Sequence, residues 1–442
     1  MSIGEYFAAA VKAAREGVPI ALSALVRVGM TAVIIAWIAS ISPEAAGNFS
    51  IASAAFASIA SIGMGFSILA QVRFANIGGI RSEAQILSSL VGAALLVGVT
   101  LTVATLIASQ VFQGLSPAGS RGMEIATIVS RLAFSYPTTF ASIVLSMYLI
   151  ATGRKSWILY ASLISASLLI AAVLAHRVLA ISIDAKGVAN LLVTLSFITL
   201  CIYAYVARRA LQLVDITVCR RAMDGSRNFV LWPSLEQFTI LGLMMLWQTL
   251  AARLSSDIFN IVAIALGLFG LYRALVRGVS QLTAIDVKAH IENKDGTYVM
   301  AAIKISMGAG LLSCLPILML GTVLSEQLRI VIGWDVSAEI YSQIFAVMAV
   351  SFLLDAIWSI FVNSLQVLGR ARFIFLMDAS LAAIVAVGFT WAAMIFGVGN
   401  KFIAIFCLLA YHTFSLLIGV TVFVNEIAAR SLQNKANPGL GP

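Results

Sequence analysis

Ionisable side chains inside long apolar runs are the residues of this chain that could do chemistry. Asp355 lies in the run SFLLDAIWSI, and Arg273 and Arg277 lie four residues apart in a second run. A charged side chain at the centre of a bilayer costs at least ~2.5 kcal/mol on insertion scales, so each of these residues is a functional candidate. A desolvated carboxylate is balanced between its protonated and charged forms, as the carrier of a proton or sodium ion must be. The position of Asp355 therefore favours cation coupling, with neutralisation by a nearby arginine as the alternative.

The two arginines lie on one face of a helix, because residues four apart are neighbours on a helical surface. They could line a cavity and recognise an anionic or carbonyl-rich substrate, or pair with Asp355 or with Glu236 of WPSLEQF. Glu236 is a second candidate for cation coupling, with a carboxylate at the cytoplasmic interface as the alternative. Arg27 and Asp378 could form an internal pair or snorkel to the interface. Further polar or aromatic side chains predicted to line the cavity are Gln281, Asn363, Trp247 and Gln248.

No motif of enzyme or metal chemistry accompanies these residues. His176, His290 and His412 are far apart and outside any HExxH pattern, and the four cysteines show no CxxC spacing. No Walker loop, GxSxG or GxGxxG motif opens a helix, so ATP-driven transport would need a separate subunit. The net charge of +9 is dispersed over short loops, which disfavours a nucleic-acid interface. We therefore predict no enzyme, no catalytic residues, no metal site, and no cofactor other than a coupling Na⁺ or H⁺.

The elements that must position these residues are membrane-spanning helices. The chain of 442 residues is 61% hydrophobic and only 11% charged, and its mean hydropathy is +1.01, whereas soluble domains carry about 25% charged residues. The apolar runs are long and continuous, unlike the short alternating strands of a membrane barrel, so the spanning form is the helix. Windows of about 20 apolar residues predict twelve spans, near 17–40, 49–73, 84–110, 124–151, 157–176, 187–207, 229–252, 257–284, 298–323, 338–366, 372–395 and 401–425.

The distribution of positive charge orients these spans. With both termini in the cytoplasm, 17 of the 28 Lys and Arg residues lie in inner segments, 6 in outer loops and 5 within spans. Cytoplasmic loops of membrane proteins carry the excess of Lys and Arg. We therefore predict a multi-pass protein of the bacterial plasma membrane with cytoplasmic termini.

The longest polar stretch divides the twelve spans into two sets of six. The predicted domains are a cytoplasmic leader (1–16), an N-lobe (17–207), a basic cytoplasmic linker (208–228), a C-lobe (229–426) and a cytoplasmic tail (427–442). Because six spans separate the lobes, both insert with the same orientation, as parallel repeats related by an axis along the membrane normal.

Three pairs of landmarks recur at nearly one offset, which supports an internal repeat. Pro19 and Pro233, at the heads of spans 1 and 7, are 214 residues apart. Gly65-Phe66-Ser67 and Gly278-Val279-Ser280 are 213 apart, and Gly153-Arg154 and Gly369-Arg370 are 216 apart. Each landmark alone is also common in unrelated helices, because proline often occurs near helix starts and glycine near helix ends.

These landmarks are part of a wider likeness to the multidrug and toxin extrusion (MATE) family. Residues 17–22, reading GVPIAL, resemble the opening of the family's first span, and 63–67, reading GMGFS, with Gln71, Asn76 and Gly78-Gly79, resemble its second span and the following loop. Residues 363–372, reading NSLQVLGRAR, resemble the end of its tenth span. The likeness extends over nearly the whole chain, but the motifs are degenerate.

The resemblance implies an all-α membrane fold of two six-helix bundles around a central cavity, and export by alternating access. It places Asp355 where many members carry a carboxylate that takes part in cation coupling. Members with a Glu in the seventh span usually carry it further from the proline than Glu236. The region 28–34, reading VGMTAVI, has no carboxylate where many members carry an Asp in the first span.

We expect a secondary antiporter that exports a small organic drug or metabolite against a sodium or proton gradient. The alternative is a flippase for a lipid-linked saccharide, since related flippases share the architecture. A membrane-embedded transferase or a channel is less consistent with the residues present. The expected partners are the small organic substrate and membrane lipids, without nucleic acid or an ATPase subunit, and we expect a monomer.

Overall fold

The computed structural model describes residues 3–75, 80–115, 121–179, 184–212, 226–292, 296–323, 337–397 and 402–436. Within these ranges the regular structure is helical, with no strand. The first-half helices are α1 (Ile3–Ile41), α2 (Pro43–Ala60), α3 (Met64–Phe74), α4 (Ile80–Leu115), α5 (Arg121–Ala133), α6 (Tyr136–Ala151), α7 (Ser156–Leu179) and α8 (Ala185–Ala207). The second-half helices are α9 (Arg227–Leu254), α10 (Ser256–Glu292), α11 (Gly296–Val323), α12 (Ala338–Leu365), α13 (Ala371–Leu381), α14 (Phe389–Ile395) and α15 (Ile403–Ala436).

All twelve predicted spans fall on these helices. Nine segments of the described chain are long and apolar enough to cross a membrane, or ten if the bent pair α5 and α6 is one span. One of the nine, Glu339–Ile395, has 57 residues, more than twice what a single crossing needs, and a turn at Gly369 separates its two predicted spans. The 37-residue helix α10 carries the remaining predicted span. The structure therefore confirms an all-α, multi-pass membrane fold.

Some of the sequence predictions fall outside the described residues. These are most of the linker 208–228, the end of the tail, and Asn76, Gly78 and Gly79. Five of the basic residues counted in orienting the spans also lie outside: Arg220, Arg221, Lys294, Arg329 and Lys401.

The turns at Gly153 and Gly369 show that the repeat is present in the backbone. Gly153 has φ 74° and Gly369 has φ 88°, in the left-handed region that side chains with a Cβ disfavour. In each half, the arginine that follows this glycine reaches the last span of the same half. Arg154 donates to the carbonyl of Val206 at 3.0 Å, and Arg370 donates to Glu426 at 2.7 Å.

The helices form two compact units that divide the chain differently from the predicted lobes. The N-unit comprises Leu22–Phe238, and the C-unit comprises Met1–Ala21 and Thr239–Pro442. The first part of α1 thus belongs to the unit of the second half, and the first part of α9 to the unit of the first half. In the C-unit, the Tyr6 hydroxyl on α1 donates to the carbonyl of Lys304 at 2.6 Å.

Close helix crossings accompany this exchange, one in each unit. In the C-unit, a Cβ on Gly278 would collide with the backbone carbonyl of Gly17. In the N-unit, a Cβ on Gly65 would collide with the carbonyl of Val230. The repeat offset relates Gly65 to Gly278 and the start of α1 to the start of α9, so the two crossings are the same contact made twice.

Each unit is built around the equivalent helix. In the N-unit, α6 packs against α3, α4 and α8. In the C-unit, α12 packs against α10, α11 and α15. Because α6 and α12 hold spans 4 and 10 of the two repeats, Asp355 on α12 is carried by the central helix of the C-unit.

Candidate ion-coupling site

Asp355 forms an ion pair with Arg273 inside the C-unit. The guanidinium on α10 donates from Nε to Oδ2 at 3.3 Å and from Nη2 to Oδ1 at 3.2 Å. Two parallel N–H bonds to one carboxylate are the strongest geometry for such a pair. The Asp355 side chain is 0% exposed and the Arg273 side chain 41%. The carboxylate is therefore the desolvated partner, and the arginine retains space around it.

His412 on α15 lies against the same carboxylate. Its Nδ1 is 3.5 Å from Oδ1 of Asp355, and neither side chain is exposed. Within the described residues, neither ring nitrogen of His412 has a hydrogen-bond partner. The imidazole packs between Phe269 and Tyr411, with ring centroids 5.0 Å and 4.9 Å from its own.

Asp378 on α13 adds a second buried carboxyl group to the cluster. It is 4% exposed and interacts electrostatically with both Arg273 and Asp355. The Ser415 hydroxyl donates to its Oδ1 at 3.4 Å, and Tyr411 supplies a further hydrogen bond. Arg27, which the sequence offered as a pairing or snorkelling residue, lies in the N-unit, where its Nη2 donates to Ser23 on its own helix at 3.2 Å.

Aromatic and small side chains surround the charged groups. The guanidinium carbon of Arg273 lies 4.5 Å from the centroid of the Phe269 ring. Tyr272, next to Arg273 in sequence, stacks on Phe352 with ring centroids 4.7 Å apart. Apolar rings thus border the cluster on these sides, and a surrounding of low polarity strengthens its electrostatic interactions.

The other predicted residues of α10 and α12 lie further along these helices. Arg277 and Asn363 are partly exposed. Gln281 is buried at 3% exposure, and its Oε1 has no hydrogen-bond partner among the described residues. All three lie in the C-unit.

The remaining predicted residues lie on α9. Trp247 is fully buried, and its indole N–H donates to Thr390 at 2.9 Å, so the side chain packs in the core of the C-unit. Gln248 is partly buried. Glu236 is buried at 2% exposure and belongs to the N-unit, where Gln237 donates to it at 3.5 Å. The structure therefore brings Asp355 and Arg273 together, whereas Glu236 belongs to the other unit.

His412 and Asp378 are members of the cluster that the sequence reasoning did not assign to a site. His412 was considered only as a metal ligand, and the described residues contain no group of three or more His, Cys, Asp or Glu in position to hold a metal ion. Both residues occur within apolar runs. The rule that singled out Asp355, an ionisable group at bilayer depth, would have found them as well.

The repeat supplies a comparison for every member of the cluster. The 216-residue offset of the two glycine turns relates Asp355 to Thr139, His412 to Ser196 and Asp378 to Ser162. The Ser196 hydroxyl lies 3.4 Å from Thr139 and 2.6 Å from Thr138. In the N-unit, the contact equivalent to that between Asp355 and His412 is therefore made by two neutral hydroxyls, those of Thr139 and Ser196. At the 213-residue offset of spans 2 and 8, the counterpart of Arg273 is Ala60.

The N-unit instead contains an apolar pocket of about 500 Å³ that is widely open at the surface. Its polar lining is limited to the hydroxyls of Thr105 and Ser109. The other lining residues are apolar. They come from the C-terminal end of α2, the turn after it, α4 and α5: Ile59, Ile62, Leu101, Ala104, Ala108, Phe112, Ile125, Ala126 and Val129.

Solved structures of membrane transporters match the chain over nearly its whole length. An outward-facing multidrug resistance MATE family transporter of the MOP superfamily is 15% identical, with 96% of each chain covered and a TM-score of 0.81. A eukaryotic MATE transporter, AtDTX14, is 12% identical, with 97% of this chain and 99% of that chain covered and a TM-score of 0.72. The chain has the MATE fold.

A third solved structure that matches the chain is a MOP superfamily transporter from Pyrococcus furiosus. It is 15% identical, with 96% of each chain covered and a TM-score of 0.77, and its description refers to a binding pocket of reverse polarity and a different function. No protein-family model and no curated protein matches the chain by sequence. The proteins matched are transporters and not enzymes, and the predicted MATE-like fold is confirmed.

Proposed function

We propose that this protein is a secondary active transporter that exports small organic molecules in exchange for sodium ions or protons. The observation that carries the proposal is the buried ion cluster of Arg273, Asp355, Asp378 and His412. The N-unit holds the same helix arrangement with Ala60 in place of Arg273 and hydroxyls at the other three equivalent positions. The same helix arrangement thus forms without ionisable groups in the N-unit, which supports a functional role for the cluster in the C-unit.

The energetics of buried charge support this argument. Desolvation of a buried ion pair commonly offsets its Coulombic attraction, so such a pair contributes little net stability compared with apolar packing. Ionisable groups within membrane spans accordingly mark ion pathways and proton relays. A coupled transporter requires such a group to bind and release a cation during each cycle.

The ion pair also supplies a way to link cation binding to helix packing. Arg273 on α10 and Asp355 on α12 join two helices of the C-unit. A cation that binds the Asp355 carboxylate competes with the guanidinium and weakens this link. Because a ligand shifts a conformational equilibrium only by its differential affinity for the two states, we propose that cation binding biases alternating access through this contact.

An apolar substrate of moderate size is consistent with the N-unit. The pocket of about 500 Å³ falls within the usual ~300–1,000 Å³ of small-molecule sites. Its lining would accept the apolar part of an amphipathic compound, and one matching transporter is named for multidrug resistance. The charge asymmetry of the loops supports cytoplasmic termini in a bacterial plasma membrane.

The test is gradient-driven efflux of a fluorescent organic cation, ethidium, from proteoliposomes. Wild type and Asp355→Asn would be compared under an imposed sodium or proton gradient. We expect efflux by wild type and loss of efflux in the variant. Thr139→Val, at the equivalent position of the N-unit, is the matched control and should retain efflux. Equal efflux by wild type and Asp355→Asn would refute the role of the carboxylate.

The exposure of the α10 arginines favours a second candidate, a flippase for a lipid-linked saccharide. Arg273 is 41% exposed and Arg277 is partly exposed, on one face of a helix within the membrane. Guanidinium groups bind phosphate oxygens in a bidentate manner. Translocation of a fluorescent lipid-linked saccharide in vesicles, lost in Arg273→Gln without any ethidium efflux by wild type, would favour this function over export.

A further inference from the structure

In the buried cluster of the C-unit, the acidic groups outnumber the permanently charged basic group. It contains two carboxyl groups, one guanidinium and one imidazole. With both carboxyls ionised, the arginine positive and the imidazole neutral, the cluster carries one excess negative charge. An uncompensated charge within the membrane is unfavourable, so one bound cation would make the cluster neutral.

The environment of His412 favours a proton as that cation. Both ring nitrogens lack a hydrogen-bond partner among the described residues, so the neutral ring has an unused acceptor. Its Nδ1 lies 3.5 Å from the Asp355 carboxylate. Once protonated, the imidazole donates from Nδ1 to Oδ1, and the added charge lies beside the carboxylate that stabilises it.

The same surroundings are poor for a sodium ion. Hard cations take several oxygen ligands, but the Asp355 oxygens already accept N–H groups of Arg273 at 3.2 and 3.3 Å. Arginine has no lone pair to offer a metal, and its positive charge would repel the ion. The hydroxyl recorded on this carboxylate is that of Ser359, which donates at 3.4 Å.

We infer that the C-unit cluster binds one proton, shared between His412 and Asp355, and that this proton is the coupling ion. The inference rests on the proposed exchange function. On binding, an O–H bond of hydronium breaks as an N–H bond forms at His412, and the proton returns to water on release. The titratable or charged groups around the pair are Arg273 and Tyr272 on α10, Cys314 on α11, Asp378 on α13 and Tyr411 on α15.

The direct test needs no substrate. Potentiometric titration of the purified full-length protein would count the protons bound across about pH 3 to 8, a range that covers both histidine and carboxyl groups. We expect His412→Ser and Asp355→Asn each to bind about one proton fewer than wild type, and the double variant to show the same loss as either single one, because coupled groups titrate as a pair. Ser196→Ala, at the N-unit position equivalent to His412, should leave the count unchanged.

A merely structural role of His412 predicts a different result. If neither single variant changes the proton count, or if the losses add in the double variant, the shared proton is refuted. Retention of ²²Na⁺ by wild type that Asp355→Asn loses would also overturn the inference, in favour of a sodium site.

Ethidium efflux measured separately under a proton gradient and under a sodium gradient distinguishes a failure of this inference from a failure of the proposed function. We expect ethidium efflux with a proton gradient in sodium-free buffer and none with a sodium gradient at equal pH. Efflux driven by sodium alone would support the exporter and overturn the proton. If neither gradient moves the dye, the proposed dye export fails, and the titration still decides whether the cluster binds a proton.

Discussion

The two units place different chemistry at equivalent positions of one helix arrangement. In the N-unit, neutral hydroxyls meet: Ser23 and Ser162 are 2.7 Å apart, and Thr138 and Ser196 are 2.6 Å apart. In the C-unit, the position equivalent to Ser196 is His412, which lies against Asp355.

This difference separates what the fold requires from what function requires. Hydroxyls satisfy one another and neighbouring backbone carbonyls at little desolvation cost, so the N-unit shows that helix packing alone supports the architecture. The charged C-unit departs from that solution at four positions. A departure that the repeat shows to be dispensable for folding is where we expect cation coupling.

The largest expected effect comes from giving the C-unit the side chains of the N-unit. The triple variant Arg273→Ala, Asp355→Thr, His412→Ser removes the ion pair and the imidazole together, and the remaining buried carboxyl of Asp378 is expected to become neutral by protonation. We expect it to fold, with circular dichroism and detergent size-exclusion profiles like those of wild type, but to lose all gradient-driven ethidium efflux.

Two results would contradict the comparison on which this variant is based. Retained efflux would show that these three side chains are not needed for coupling. Failure to fold, while a triple variant at partly exposed residues of the same helices folds, would show that the charges are structural after all.

Removing one partner of the ion pair should be more damaging to stability than removing both charges. Arg273→Ala leaves the buried Asp355 without its counter-ion, which costs about 3–5 kcal/mol for a buried pair, and the lower end applies because Arg273 is partly exposed. Adding Asp355→Asn removes the orphaned charge. In detergent, the double variant should therefore have a higher melting temperature than Arg273→Ala. A lower melting temperature for the double variant would show that Asp355 does not depend on Arg273 as its counter-ion.

The sequence predicted the fold and part of the site for identifiable reasons. Span length and composition are local properties, so the apolar runs and the depth of Asp355 were readable from the chain. The turn glycines were found because Gly153 and Gly369 occupy the same left-handed conformation in both repeats. The repeat was therefore detectable where the backbone conformation favours one residue type, such as glycine at a positive φ.

The contacts within the site were not predictable in the same way, because they depend on the rotation of each helix about its axis. The sequence left open whether Arg273 faced a cavity or paired with Asp355, and the structure shows the pair. Trp247 was predicted to line a cavity, yet here its N–H is satisfied by Thr390 in the core. His412 was overlooked because it was weighed only against metal motifs.

The two glycine crossings test whether equivalent helix contacts contribute equally to the stability of the two units. Gly278→Ala and Gly65→Ala each place a methyl group against a backbone carbonyl, and overpacking of this kind costs about 1–3 kcal/mol. We expect both variants to melt at a lower temperature by similar amounts. Gly242→Ala is the control, because a Cβ there meets nothing within 4 Å. Destabilisation by only one of the pair would argue against equivalent crossings.

The smallest expected effect is at the N-unit position that corresponds to His412. Ser196→Ala removes the hydroxyl that meets Thr138, but Thr138 keeps its own bond to the carbonyl of Ser135 at 2.9 Å. A side-chain hydrogen bond within a membrane protein is worth about 0.6 kcal/mol on average, so the melting temperature should barely change and ethidium efflux should persist. His412→Ser, which installs the N-unit residue in the C-unit, should abolish efflux, and it should also lower the melting temperature because it leaves space at a fully buried position. If Ser196→Ala impairs efflux as strongly as His412→Ser does, coupling would involve both units, and the assignment of the coupling chemistry to the C-unit alone would be wrong.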